Sequence, residues 1–134
     1  MRNALCGVLL LACAGQAQAN CSLLPSAQQV DAQDQLDRTV RGYATENALR
    51  EFALYAYRSI ANDVVNGYGP YLETIHSQFA FTCSEPAAFT AWLRVILVTS
   101  PSVADFSRHL VVGRELARQA AFPAERKHLN VIAP

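Results

Sequence analysis

Eleven basic against eleven acidic side chains in 134 residues leave the chain formally neutral, and its densest cationic feature is the single pair Arg126-Lys127. A surface without a basic run has nothing to neutralise a phosphate backbone, so nucleic acid is excluded as a partner. Hydrophobic residues make up 51%, enough for one core in one domain of this length, and no stretch reaches the roughly 20 apolar residues that cross a bilayer.

The chain opens MRNALCGVLLLACAGQAQANC, with Arg2, an apolar run and the small-residue ending AQA before Asn20. This is the three-part layout of a secretory signal peptide, and cleavage after Ala19 is expected. LLAC at 10–13 offers a second possibility, lipidation at Cys13, which would leave a membrane-anchored lipoprotein. Cys6 and Cys13 fall in the leader, leaving Cys21 and Cys83 in the mature chain. Two cysteines in an exported chain are most simply one disulfide. Closing the long loop between Cys21 and Cys83 stabilises the fold by about 4 kcal/mol in the chain-entropy model. The expected organisation is a leader at 1–19, a helical domain at 20–122 and a flexible tail at 123–134.

Within the domain, Ser26 with Gln29 three residues on forms a capping box for a first helix. That helix is polar, with Val30, Leu36 and Val40 as its core contacts, and Gly42 is placed to end it. Thr45 can cap the next, in which Leu49, Phe52, Ala53, Ala56, Ile60 and Val64 recur at three-and-four spacing and make one apolar stripe. Gly67 then stands where a left-handed C-cap needs glycine, and Pro70 where a helix begins without needing an amide. A third helix follows with Leu72, Ile75 and Phe79 inward, broken by Cys83. Ser84 and Pro86 start a fourth carrying Phe89, Trp92, Leu93, Ile96 and Leu97. TSPS at 99–102 restarts the chain, with Ser102 as cap and Asp105 three on. The fifth helix puts Val103, Phe106, Leu110, Gly113 and Ala117 on one side, Gly113 allowing a close crossing. With no alternating strand, the expected class is all-α: a small bundle of four to five helices with one disulfide.

The chemistry concentrates in NGYGPYLETIH at 66–76. It is first a helix-helix corner; a phosphate loop would need a preceding strand and a following lysine with serine or threonine. Glu73 and His76 share the Glu-x-x-His spacing with Glu125 and His128, the spacing of carboxylate-bridged di-metal bundles, for which Glu51 and Glu115 could supply the remaining ligands. Two cations interrupt the second pair and its segment is polar, so both pairs read more simply as solvent-facing helix neighbours and no metal or cofactor is assigned. His109, four residues after Asp105, could be oriented by that carboxylate as a general base, but no nucleophile motif accompanies it. Tyr55, Tyr57, Tyr68 and Tyr71 cluster about the corner, and tyrosine suits binding surfaces because it pairs area with a polar end. Tyr68, Tyr71, Glu73 and His76 are the candidate binding residues.

NDVVNGYGPYL at 62–72, the pair Cys83-Ser84 and ILVTSPSVADF at 96–106 resemble a family of small exported proteobacterial proteins of unknown function, over roughly half of the chain. The resemblance implies an envelope protein and assigns no chemistry to any residue. The expected protein is exported, periplasmic or secreted, and acts by binding an envelope partner rather than by catalysis; the rival readings are a metal-binding Glu-x-x-His bundle and the lipid-anchored form.

Overall fold

The computed structural model describes residues 21–40 and 48–123, without the side chains of 38–40. Among them are six helices and no strand: α1 (Ala27–Val40), α2 (Ala48–Tyr55), α3 (Tyr57–Asn66), α4 (Pro70–Ser77), α5 (Pro86–Thr99) and α6 (Val103–Ala121). The all-α class is observed, with six helices where four to five were expected. The expected leader at 1–19, with its two expected processing points, Gly42, Thr45 and residues 124–134, including Glu125 and His128, lie outside the described residues.

The added helix comes from a break in the long second helix at Ala56, whose φ of −100° and ψ of 14° leave the helical region. The hydrogen bonds on either side persist, Ala56 N–H to Phe52 at 2.8 Å and Ile60 N–H to Ala56 at 2.9 Å. No proline or glycine marks the site. What changes there is the packing: α2 lies mainly against α6, whereas α3 packs on α4 and α5. The apolar stripe continues through the break, with Ala53, Ala56, Ile60 and Val64 all buried.

α6 is the longest helix among the described residues and packs against α1, α2 and α5. Ser102 accepts from the Asp105 amide at 3.1 Å and so caps it as expected. Phe106, Leu110, Gly113 and Ala117 are buried along one face, while Val103 at its start remains partly exposed. A Cβ at Gly113 would lie 3.1 Å from the Trp92 ring, so the glycine lets that indole cross α6 closely. Trp92 in turn packs 5.1 Å from Phe79 and 5.7 Å from Phe89, giving the core its aromatic centre.

α1 is attached differently. Ser26 and Gln29 form the expected capping box, through Gln29 N–H to Ser26 Oγ at 3.2 Å and Ser26 N–H to Gln29 Oε1 at 2.8 Å. Val30 is fully buried, but Leu36, expected in the core, is 54% exposed, because the buried position on that face is taken by Asp34. Polar and covalent ties supply what the apolar face lacks. The Trp92 indole N–H donates to Pro25 O at 2.7 Å, and Cys21 is bonded to Cys83 across 62 residues with a Cα separation of 4.5 Å. The expected disulfide is thus present.

Candidate functional site

The corner between α3 and α4 is built by Asp63, whose side chain is buried in the last turn of α3. Gly67 closes that helix in the left-handed conformation, φ 84°, with its amide on Asp63 O at 2.8 Å. Two residues later Gly69 takes φ 147°, a region nearly closed to other residues. A Cβ there would land on the Asp63 carboxylate. Pro70 occupies the first position of α4, where no amide is needed, and the amides of Tyr71 and Leu72 donate to Asp63 Oδ2 at 2.9 and 3.1 Å. One carboxylate of the preceding helix therefore caps the following helix, and its negative charge faces the positive end of that helix. Glycine at 69 is required twice, by its angles and by the room this carboxylate occupies.

That frame fixes where the four candidate binding residues go. Tyr68, between the two glycines, is 75% exposed, with Val65 beside it on α3 at 78%. Tyr71 lies lower, its ring stacked on Phe52 at 6.2 Å, and is 37% exposed. Glu73 stands in solvent on α4. His76 is turned inward: its ring lies flat on Phe89 at 4.6 Å, and its Nε2 is 2.7 Å from Cys83 O. A carbonyl can only accept, so this nitrogen carries the proton and donates. His76 thereby ties α4 to the half-cystine backbone, and the four residues do not form one surface.

The metal reading gains no geometry. His76 Nε2 is committed to a carbonyl, Glu115 is bonded to Arg118 on its own helix at 2.8 Å, and Glu51 is exposed on α2. Among the described residues no group of three or more His, Cys, Asp or Glu side chains is arranged to hold a metal ion. The hydrogen bond from Arg118, against the opposing effect of partial burial, holds the Glu115 carboxyl below its ordinary range.

A second polar cluster, between α1 and α6, was not foreseen in its composition. His109 is buried and does not use Asp105, which instead accepts from Ser102 Oγ at 2.7 Å and pairs with Arg108. Its Nδ1 lies 2.8 Å from Ser100 Oγ, and its Nε2 lies 3.4 Å from Asp34 Oδ2 and 3.6 Å from Asp31 Oδ1. Serine, histidine and aspartate in this order invite comparison with a nucleophilic triad, but the proton directions oppose it. Ser100 Oγ donates its only proton to Ile96 O at 2.6 Å, so it accepts from His109 rather than being deprotonated by it. The cluster fastens α1 to α6, with Asp34 also 3.6 Å from Arg108 Nε. The signal for it was Asp-x-x-Asp at 31 and 34 in a polar helix, which reads as solvated until its facing helix is known.

An open groove of about 540 Å³ runs between α1 and the C-terminal half of α6, lined by Leu23, Leu24, Gln33, Leu36, Leu116 and Ala120 among others. No helix among the described residues is long and apolar enough to cross a membrane. Family models, curated proteins and solved structures yield no match to this chain.

Proposed function

We propose that this chain is a small exported binding protein, periplasmic or secreted, that engages an envelope protein in the manner of an inhibitor or immunity partner and does so by contact rather than catalysis. The leader layout supports export, and the Cys21–Cys83 bridge fits an oxidising compartment. The observation that carries the reading is the pairing of exposure with rigidity at the corner. Tyr68 is held out on a backbone pinned by Gly67, Gly69, Pro70 and the Asp63 carboxylate, so little freedom remains to be lost when a partner covers it. Rigid tyrosines are favoured anchors at such contacts, and exposed Glu73 lies on the rim.

The test is capture from periplasmic extract by immobilised oxidised protein, wild type against Tyr68→Ala with Glu73→Ala. The variant is expected to weaken capture of its envelope partner by roughly tenfold or more while keeping the wild-type unfolding midpoint. Unchanged capture of every envelope protein would remove the corner from the account.

A further inference from the structure

Of the described helices, α1 is the one least secured by apolar burial. Among its described side chains only Val30 and Asp34 are buried, one apolar and one charged. The other helices supply the core, through Leu49, Ile60, Ile75, Phe89, Phe106 and Leu110 among others. The N-terminal end of α1 is held instead by the segment before it, where Pro25 O accepts the Trp92 indole proton at 2.7 Å and Cys21 is bonded to Cys83. The two half-cystines are anchored unequally. Cys83 is 1% exposed, its N–H donates to Phe79 O at 3.0 Å and its carbonyl accepts from His76, so its backbone is held without the bridge. Cys21 is only part-buried, and the backbone bond it accepts, from Leu24 N–H at 3.2 Å, is local to its own turn.

We infer that the Cys21–Cys83 bridge is a redox latch on α1: a dithiol reductant that opens it lets α1 leave α6 while α2 to α6 stay folded. The reductant's thiolate attacks the part-buried Cys21 sulfur, the S–S bond breaks, and its electron pair leaves on the Cys83 sulfur, which takes up a proton. The reductant's second thiol then displaces Cys21 as a thiol, so the protein gains two thiols and the reductant one disulfide. As a thiol, Cys83 has an acceptor at hand in Glu85 O, 3.7 Å from its sulfur. With the bridge closed, α1 is joined at both ends, by the chain to α2 and by the disulfide to Cys83. Opening the bridge frees one end and favours release by roughly 10²–10³-fold in the chain-entropy model, for the loop from Cys21 to the start of α2. Release takes away the α1 wall of the groove and uncovers Leu116, Gly113 and the Trp92 indole N–H. None of these contacts involves Tyr68, so the latch stands apart from the proposed corner contact.

Native-state hydrogen exchange through sub-denaturing urea, on the protein oxidised and then reduced with dithiothreitol, tests it. On reduction the α1 amides are expected to exchange roughly 10²–10³-fold faster and with weak dependence on urea, while those of α5 and α6 still exchange together through a strongly urea-dependent global opening. Cys21→Ser without reductant is expected to match the reduced wild type. Reduced-state α1 amides that follow α5 and α6 at every urea concentration, or a reduced chain that loses its helical circular dichroism altogether, would make the bridge a staple of the whole fold and overturn the inference. Amides of α1 that already exchange alone and as fast in the oxidised protein, or that stay protected in Cys21→Ser, would overturn it equally.

Discussion

Replacing Asp63 by alanine removes the cap that α3 supplies to α4. Two hydrogen bonds go, to the amides of Tyr71 and Leu72. Leu72 is buried, so its amide would have no solvent to turn to. Loss of a side-chain cap costs about 1 kcal/mol, and a buried donor left unsatisfied adds about 1–2 kcal/mol more. Loss of the charge at the helix start adds about 0.5 kcal/mol. A destabilisation of about 3 kcal/mol follows, which for a domain of about 100 residues lowers the melting temperature by more than roughly 10 °C. Urea denaturation of the oxidised protein followed by circular dichroism measures it, as a lower midpoint at unchanged slope. Asp63→Asn keeps one acceptor oxygen and should lose about 1 kcal/mol. Gly69→Ala drives its Cβ onto the carboxylate, but in an Asp63→Ala background that space is free and only the strain of φ 147° remains. The double substitution should therefore cost less than the two single ones together. A loss below about 0.5 kcal/mol for Asp63→Ala, or strict additivity in the double variant, would refute the cap.

Three further outcomes follow from the other contacts. Reduction of Cys21–Cys83, or Cys21→Ser with Cys83→Ser, should lower the unfolding free energy by about 4 kcal/mol, read from urea midpoints with and without reductant. Asp34→Ala should lower it by about 3 kcal/mol, because the carboxylate is buried between His109 and Arg108, whereas Asp31→Ala, 56% exposed, should change it by less than about 0.5 kcal/mol. Glu115, whose folded-state carboxyl is held low by Arg118, contributes stability present above its unfolded value of 4.5 and lost as pH falls through its lower folded value. Glu115→Gln should flatten that small acid slope in melting temperature measured against pH.

Much of the helix punctuation was legible because it is local. Ser26 with Gln29, Gly67, Pro70 and Ser102 act within a turn or two of where they stand, and the spacing of Ile60, Val64, Leu93 and Leu110 shows a buried face without reference to any partner. The Cys21–Cys83 bridge was legible by elimination once the leader cysteines were set aside. What stayed hidden depends on how helices cross. The break at Ala56 answers to a change of packing partner, which no residue there announces. Asp63 caps a helix that begins seven residues later, beyond the span over which capping patterns are usually recognised. His109 found Ser100 and Asp34 rather than Asp105, because α1 lies over it, and the same placement of α1 turned Leu36 outward. At the corner, the sequence showed four polar and aromatic side chains at helical spacing but could not show that Tyr68 faces solvent while His76 faces the disulfide.

Export into an oxidising compartment is the premise that gives the corner its partner and the bridge its persistence. Its most direct test is the non-reduced intact mass of the protein expressed with its own leader in a bacterial host, taken on soluble periplasmic and membrane fractions. The account predicts a soluble species that begins at Asn20 and is two hydrogens lighter than the reduced chain. A chain that keeps residues 1–19 and carries free thiols would contradict export, and a membrane species beginning at an acylated Cys13 would contradict the soluble form.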